Sequence, residues 1–395
     1  MTKVKINFRG KTVLISSDVL RWARESIGMS LELTAKKLKV NEGILADWER
    51  ITSPIPLSRF KLFSKVYKRP SAVFLLDKPP IEKLPSEFRR HMEEKRVEFT
   101  TNTFLAIRKA KRIQQTFLEL SDKEENPFIK KLIAFEKYND PELVASKVAI
   151  LLGLDYKNIL KTKDTFTQLK IWKKILESVN ILVIELKFNP YEARAFSLYD
   201  KYTPLIVLST QDHPYARIFS LAHELGHFIF KSNGIDIDSD FNQKKEDNYL
   251  EYFCNYFAGS LLVPKNELAV IIKNKGFDRN RFQEEDYLNS VLLQLSSQFQ
   301  VSTQVILRRL LINNFISSDN FTIKHKQLIS KKQIYRKPIG AGNYYVNVIK
   351  NFSHLFISKL LEAHNENKIT HYDLLNYLNI KSENVPKLES KLLHY

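Results

Sequence analysis

The feature that most constrains the fold is the pentapeptide HELGH at residues 223–227. Residues four apart lie one above the other on a helix, so His223 and His227 can converge on one metal ion if this segment is helical. The sequence predicts such a helix from about Pro214 to Phe230. Glu224 then points to the side where a metal-activated water would lie. We therefore predict a catalytic site for one Zn²⁺, with Glu224 as general base. The alternative is a histidine pair that is solvated or satisfied within the core.

A third metal ligand should come from a later helix, predicted from about Tyr249 to Leu262 and stopped by Pro264. Glu251 lies at the edge of the apolar face of that helix, where a carboxylate is costly unless it is paired. Glu251 is therefore the predicted third ligand, which completes the His, His and carboxylate set of hydrolytic zinc sites. The alternative is that Glu251 is a surface glutamate. The rival ligand is then Asp247, one helical turn earlier. Cys254 is expected to pack in the core.

Three short strands are predicted before the HELGH helix. They are the β-branched run ILVIEL at residues 181–186, Arg194 to Tyr199, and Pro204 to Ser209. Most of the remaining chain shows helical periodicity, so the predicted fold class is mainly α with a small β-sheet (α+β). We also expect Leu205 to Leu208 to form a sheet edge to which an extended substrate adds as a further strand.

Charge and composition narrow the classes of function. Lysine and arginine total 62 against 44 for aspartate and glutamate, a net charge of +18 that favours a polyanion or an acidic partner. No run approaches the roughly 18 apolar residues of a membrane span, and the first residues lack the apolar core of a signal peptide. With a single cysteine as well, we expect a cytoplasmic protein without membrane contact. Neither a glycine-rich nucleotide loop nor a carboxylate cluster for two-metal nuclease chemistry is present.

The N-terminal segment predicts a bundle of short helices. Apolar residues recur at helical spacing over residues 17–76, Ser30 and Asn41 stand at predicted helix N-caps, and Gly28 separates the first two helices. Short helices joined by three-residue turns are typical of a helix-turn-helix domain. The proline-rich stretch KPPIEKLP at residues 78–85 is its predicted end.

The stretch RIFSLAHELGH, followed by ExxCNxFAxxLLVP from Glu251 to Pro264, resembles the zinc-peptidase domain of the ImmA/IrrE family. Members commonly show HELGH and then ExxAN.FA..LLMP. The resemblance implies that His223, His227 and Glu251 bind zinc and that Glu224 is the general base. Cys254 stands where the family usually has alanine.

The resemblance extends over nearly the whole chain. Residues 20–90 are similar to the XRE-type helix-turn-helix region that precedes the peptidase in many members, except that Ile51 replaces a usual glycine. The segment FQVSTQVILRRLLINNFIS and the C-terminal tail also resemble the family. The predicted domains are an XRE-type helix-turn-helix domain (1–80), a helical linker region (81–165), an ImmA/IrrE-like zincin peptidase core (166–270) and a helical C-terminal region (271–395).

This resemblance implies a zinc-dependent endopeptidase that cleaves a helix-turn-helix transcription factor or an antitoxin-like partner. The partner is often encoded nearby, and the setting is a stress, phage or mobile-element response. The alternative is a DNA-binding transcriptional regulator or toxin-antitoxin component whose zinc site is sensory or structural. Self-association is compatible with either function.

The predicted recognition helix begins near Asn41, and it carries no arginine or lysine between Val40 and Glu49. Arginine or lysine to guanine is the commonest specific base contact, so the segment favours docking of a helix-turn-helix protein slightly over DNA. In the DNA alternative, acidic residues such as Asp47 and Glu49 accept from cytosine, and flanking lysines contact phosphates. The candidate DNA- or partner-binding residues are Lys36, Lys37, Lys39, Asn41, Glu42 and Arg50.

Overall fold

A computed structural model of the chain describes residues 6–7, 11–80, 99–236, 249–330 and 343–394. The chain divides into two compact units, Met1–Arg108 and Lys109–Tyr395. The described residues are mainly helical with two small sheets, which confirms the predicted mainly α class with a small β content. The four-domain division stays a prediction. Residues 81–98, with which the predicted linker region begins, lie outside the described residues.

The first unit combines short helices with a small antiparallel sheet. Its elements are β1 (Ile6–Asn7), β2 (Thr12–Ile15), α1 (Ser17–Glu25), α2 (Leu31–Leu38), α3 (Glu42–Arg50), β3 (Ser53–Pro56), α4 (Leu57–Tyr67) and a 3-10 helix (Ser71–Leu75). The strand order is β1-β2-β3, with Val13 opposite Ile55. This sheet was not predicted, because Pro54 and Pro56 indicate a break. Both prolines are tolerated because β3 pairs only with β2 in the described sheet and lies at its edge.

Local signals correctly place the starts of α2 and α3. Ser30 caps α2 by accepting from the amide of Leu33, and Asn41 caps α3 by accepting from the amide of Gly43. Three residues join α2 to α3, and α3 packs against both α1 and α2. Ile51 follows α3 in an extended conformation (φ −130°), so the glycine of the family pattern is not needed there. The helix-turn-helix assignment itself stays a prediction.

The second unit contains most of the helices. Its elements, beginning with the helix that crosses the division, are α5 (Thr101–Leu120), α6 (Pro127–Ile133), α7 (Pro141–Leu151), α8 (Tyr156–Ile159), α9 (Thr165–Ser178), β4 (Leu182–Leu186), β5 (Ala195–Leu198), β6 (Leu205–Ser209), α10 (Pro214–Ile229), β7 (Ile235–Asp236), α11 (Tyr249–Leu262), α12 (Lys265–Asn274), a 3-10 helix (Arg279–Gln283), α13 (Glu285–Phe299), α14 (Thr303–Ile312), α15 (Ser318–Ser330), α16 (Tyr344–Phe352), α17 (His354–Asn365), α18 (His371–Leu378), a 3-10 helix (Ser382–Asn384) and α19 (Val385–Leu393). The basic cluster at 330–338 falls almost wholly on residues outside the described part.

The sheet of the second unit has the order β4-β6-β5-β7. All three predicted strands are confirmed, within one or two residues at their ends. The prediction that Leu205 to Leu208 form an edge is wrong, because β6 pairs in parallel with β4 on one side and antiparallel with β5 on the other. Ile206, for example, stands opposite both Val183 and Ser197. A substrate strand therefore cannot add to β6.

The helix with the HELGH sequence lies in the centre of this unit. Helix α10 packs against the sheet and, most extensively, against α11, which in turn packs on α7. Every residue of α10 from Ser220 to Ile229 is buried, so the polar residues of this stretch must find partners within the protein. Among the described helices, none is both long and apolar enough to cross a membrane.

A buried ion cluster ties α10 to the sheet. Glu185 on β4 accepts from Lys173 Nζ on α9 at 2.8 Å and from an Arg217 guanidinium nitrogen on α10 at 2.9 Å. Burial opposes ionisation of Glu185, but the charges of Lys173 and Arg217 outweigh it and lower the pKa of the carboxyl. The cluster thus links β4 and α9 to the first turn of α10, the helix that carries HELGH.

Candidate metal centre

The two histidines of HELGH face each other on α10. His213 caps this helix by accepting from the amide of Tyr215, and Pro214 occupies its first turn. His223 and His227 are both buried, and their Nε2 atoms lie 3.1 Å apart. The helical spacing thus places two nitrogen ligands at one point, as predicted.

Glu251 on α11 reaches the same point. Its Oε2 lies 3.3 Å from Nε2 of His223, and its Oε1 lies 3.5 Å from Nε2 of His227. Within the part of the chain that the structure describes, these three residues form a group that could hold a metal ion, with ligand atoms within 4.8 Å of one another. The rival ligand, Asp247, lies outside the described residues. The structure brings the predicted residues together, and their binding of zinc stays a prediction.

Hydrogen bonds on the far side of each ring fix the form of both imidazoles. Nδ1 of His223 lies 3.0 Å from Oδ1 of Asn255, which can only accept, so the proton sits on Nδ1. Ser232 donates its hydroxyl to the carbonyl of His227 at 3.1 Å, and its Oγ therefore accepts from Nδ1 of His227 at 3.3 Å. In the neutral rings, both Nε2 atoms present lone pairs to each other and to Glu251. Such partners orient metal-binding histidines and increase their basicity.

This donor set fits a small divalent cation. Lone pairs of two nitrogens and a carboxylate repel one another unless a positive charge lies among them. With zinc–nitrogen bonds of about 2.0–2.1 Å, tetrahedral neighbours stand roughly 3.3 Å apart. The two Nε2 atoms lie 3.1 Å apart, and each has one oxygen of Glu251 at 3.3 or 3.5 Å, which is close to this spacing. The residues present therefore fit a zinc ion.

Glu224 lies outside this ligand group and has a separate anchor. It is fully buried, and its Oε2 accepts from the hydroxyl of Ser197 on β5 at 2.5 Å. Oγ of Ser197 in turn accepts from the amide of Gly234 at 2.9 Å. A Cβ at Gly234 would lie 2.1 Å from Oε2 of Glu224 and 2.5 Å from Cδ2 of His227. Only glycine fits there.

Sequence reasoning missed Ser197, Ser232 and Gly234. Ser197 is one small residue in a predicted strand, and nothing in its neighbourhood indicates a contact with Glu224, 27 positions away. Asn255 did carry a signal, because it lies one helical turn after Glu251 within the motif that resembles the family.

Small residues allow α10 and α11 to approach closely at the site. A Cβ at Gly226 would meet Sγ of Cys254 at 3.1 Å. Cys254 is fully buried, as expected for a packing residue. This close approach brings Glu251, one turn before Cys254, within reach of the two histidines.

A buried arginine holds the other end of α11. Arg309 on α14 donates to both carboxylate oxygens of Glu142 on α7, at 2.6 and 2.7 Å, and to the carbonyl of Val263 at 2.9 Å. Ser260 on α11 also donates to Glu142, at 2.7 Å. Burial raises the pKa of Glu142, but the hydrogen bond and charge of Arg309 outweigh burial and lower it. Helices α7, α11 and α14 are thus joined at the end of α11 that lies away from Glu251.

The candidate DNA- or partner-binding residues belong to the first unit and are all exposed. They are Lys36, Lys37, Lys39, Asn41, Glu42 and Arg50. Asn41 uses its side chain to cap α3, and Arg50 pairs with Asp47 at 3.0 Å. Their binding role stays a prediction.

The proposed base contact by Glu49 is wrong. Glu49 is buried and forms a two-pronged ion pair with Arg24, through Nε at 2.9 Å and a terminal nitrogen at 2.8 Å. The hydrogen bond and charge of Glu49 outweigh burial and raise the pKa of Arg24, so the guanidinium stays charged at neutral pH. Ile44, one of the apolar residues at helical spacing in residues 17–76, is 47% exposed.

Comparison with known proteins adds one match. No curated protein and no solved structure is significantly similar to the chain. Residues 176–311 match the family model Peptidase_M78, described as an IrrE N-terminal-like domain. The matched range contains the four-stranded sheet, α10 and α11, and thus every residue of the candidate metal centre. The match supports the ImmA/IrrE resemblance and indicates a function of the metallopeptidase type for this part of the chain.

Proposed function

We propose that this protein is a zinc-dependent endopeptidase in which His223, His227 and Glu251 hold one Zn²⁺. The observation that carries the proposal is the convergence of the two Nε2 atoms and the Glu251 carboxylate, at 3.1–3.5 Å, beside a buried glutamate that is not in the ligand group. A purely structural zinc site more often uses four protein ligands and has no role for Glu224. The separate anchor of Glu224 therefore favours catalysis.

The residues of the chain have distinct tasks in peptide hydrolysis. A bound zinc ion supplies a Lewis acid that polarises the substrate carbonyl and makes water acidic. Glu224 takes a proton from the attacking water and passes it to the nitrogen of the leaving amine. Ser197 restrains Oε2 of Glu224 through its hydroxyl, so the base stays oriented between these two transfers. Asn255 and Ser232 keep both histidines oriented.

The proposed substrate is a helix-turn-helix transcription factor or an antitoxin-like protein, encoded nearby and cleaved in the cytoplasm during a stress, phage or mobile-element response. Support comes from the ImmA/IrrE resemblance and the match over residues 176–311. Residues 1–80 serve as the docking module for this partner. The acidic and apolar surface of α3, with Glu42, Asp47 and the exposed Ile44, is consistent with a protein partner.

A second candidate is a DNA-binding regulator with a sensory or structural metal site. Lys36, Lys37 and Lys39 favour it, because all three are exposed around the predicted recognition helix and can contact phosphates. This candidate predicts protection of a DNA site by the protein without cleavage of any partner.

New protein N-termini, compared by mass spectrometry in native host cells under several stresses, distinguish these functions. The cells express the wild type, Glu224→Gln, or Glu389→Gln as a matched change of an exposed glutamate. The peptidase proposal predicts a new terminus inside a helix-turn-helix protein with the wild type and Glu389→Gln, and its loss with Glu224→Gln. If the same termini arise with Glu224→Gln, the assignment of Glu224 as base is wrong.

A further inference from the structure

A second candidate site lies in the C-terminal part of the second unit. A cavity of about 380 Å³ opens among α5, α16, α17 and α18, which we name the Lys109 cavity. The residues that line it include Lys109, Arg112, Asn351, Phe352, Asn376 and Tyr377. Small-molecule sites in proteins have volumes of about 300 to 1,000 Å³, so the size suits a small ligand. None of the lining residues belongs to the metal centre.

Among the described residues, the two cations that line the cavity have no acidic partner. Lys109 and Arg112 lie three residues apart on one face of α5, and both line the cavity. Nζ of Lys109 lies 3.9 Å from the ring centroid of Phe352, and Cζ of Arg112 lies 5.9 Å from that of Tyr377. No aspartate or glutamate is among the described residues that line the cavity. Aromatic rings attract both cations weakly, but they do not neutralise them.

Burial in this cavity disfavours the charged form of Lys109. Burial, with a smaller contribution from the charge of Arg112, lowers the pKa of Lys109 to about 8. The charged and titratable groups that line the cavity around it are Arg112 on the same helix, Tyr344 on α16 and Tyr377 on α18, while α17 contributes Phe356. A bound anion would favour the charged lysine and oppose the effect of burial.

The rest of the lining suits a planar polar group. Asn351, Asn376 and Asn379 provide amides that both donate and accept hydrogen bonds. A neighbouring cavity of about 620 Å³ shares Tyr344, Asn376 and Asn379 with the first. Tyr344 is 49% exposed, so its ring is accessible at the junction of the two cavities. Exposed aromatic rings stack on the flat faces of nucleobases.

We propose that the Lys109 cavity binds a nucleoside monophosphate. The phosphate pairs with Lys109 and Arg112, and the base lies toward Tyr344, where the shared asparagines contact its polar edge. An acidic peptide also satisfies the two cations, but it makes no use of the accessible ring and the amides. The site is separate from the metal centre and does not depend on the proposed peptidase activity.

Titration calorimetry on the full chain at pH 7 tests the proposal. The probes are the four common nucleoside 5′-monophosphates, the matching nucleosides, inorganic phosphate and a tetraglutamate peptide. The variants are Lys109→Met and Arg112→Met, which remove charge but keep an unbranched side chain, and Lys130→Met as a control at an exposed lysine on α6. Thermal unfolding of each variant establishes that it is folded.

We expect at least one monophosphate to bind at one per chain, with a Kd at least tenfold higher in Lys109→Met and Arg112→Met and unchanged in Lys130→Met. The matching nucleoside and inorganic phosphate should each bind at least tenfold more weakly than the monophosphate. Affinity should fall between pH 7 and pH 9.5, because the neutral lysine no longer attracts the phosphate. Absence of monophosphate binding at 1 mM, equal binding by folded Lys109→Met, or tighter binding of tetraglutamate would overturn the proposal.

Discussion

Gly234 offers the sharpest test of how the candidate metal centre is built, because a side chain there would meet both the proposed base, Glu224, and a proposed metal ligand, His227. A Cβ at this position would lie 2.1 Å from Oε2 of Glu224, and 2.5 and 2.8 Å from ring carbons of His227. Real Cβ contacts essentially never fall below 3.0 Å, so in Gly234→Ala the carboxylate must move by about an ångström or the loop must withdraw. A misplacement of about 1 Å can cost on the order of 10²-fold in rate, and overpacking costs about 1–3 kcal/mol of stability.

Three measurements evaluate Gly234→Ala. They are kcat/KM on the partner identified from its new N-terminus, zinc affinity by competition with a chelator, and the free energy of unfolding in urea. We expect kcat/KM to fall about 100-fold and zinc affinity to fall about 10-fold or more, because the side chains of Glu224 and His227 are both displaced.

Gly259→Ala is the matched control. Gly259 lies on α11, the helix that carries Glu251, and a Cβ there would meet only Cδ of Arg309 at an ordinary 3.5 Å. Because alanine is a better helix former than glycine, this variant should be stabilised by up to about 1 kcal/mol and keep full activity. If Gly234→Ala retains activity and zinc affinity within twofold of the wild type, the packing described around Glu224 is wrong.

Three further substitutions probe the surroundings of the site. Ser197→Ala should lower kcat by about 10-fold while zinc content stays at one per chain, since the hydroxyl contacts Glu224 and no ligand; loss of zinc would contradict this role. Asn255→Ala should weaken zinc binding by about 10- to 100-fold in chelator competition, because His223 loses the partner of its Nδ1, and unchanged affinity would count against that contact. Glu185→Gln should destabilise the fold by about 3–5 kcal/mol in urea unfolding at pH 7, because two buried cations lose their carboxylate. The folded-state pKa of Glu185 lies below its unfolded value, so this contribution is present above the ordinary carboxyl range and is lost as pH falls through the lowered pKa. A difference below 1 kcal/mol at pH 7, or one that grows on acidification, would contradict the argument.

The parts of the molecule that follow from local rules could be predicted from the sequence. The four-residue spacing of His223 and His227 fixes their separation once the segment is helical, and Pro214 marks where that helix begins. Asn41 likewise marks the start of α3, because its side chain accepts a hydrogen bond from the amide two residues later. In each case the decisive interaction spans only a few residues.

The parts that depend on distant contacts could not be predicted. Ser197 meets Glu224 only because β5 pairs beside β6, and strand order is not encoded in the apolar pattern of either strand. For the same reason, the apolar pattern of Leu205 to Leu208 does not distinguish an edge strand from the central position that β6 occupies. The burial of Glu49 could not be predicted either, because its partner, Arg24, lies 25 residues earlier on another helix.

The metal content of purified variants tests the central claim most directly. Elemental mass spectrometry should find one zinc per chain in the wild type and in Glu224→Gln, because Glu224 is bonded to Ser197 and lies outside the ligand group. In Glu251→Ala the zinc content should fall well below one per chain, because one of three ligands is removed. A wild type without stoichiometric metal, or a Glu224→Gln variant that loses zinc as Glu251→Ala does, would contradict the assignment of three ligands and a separate base.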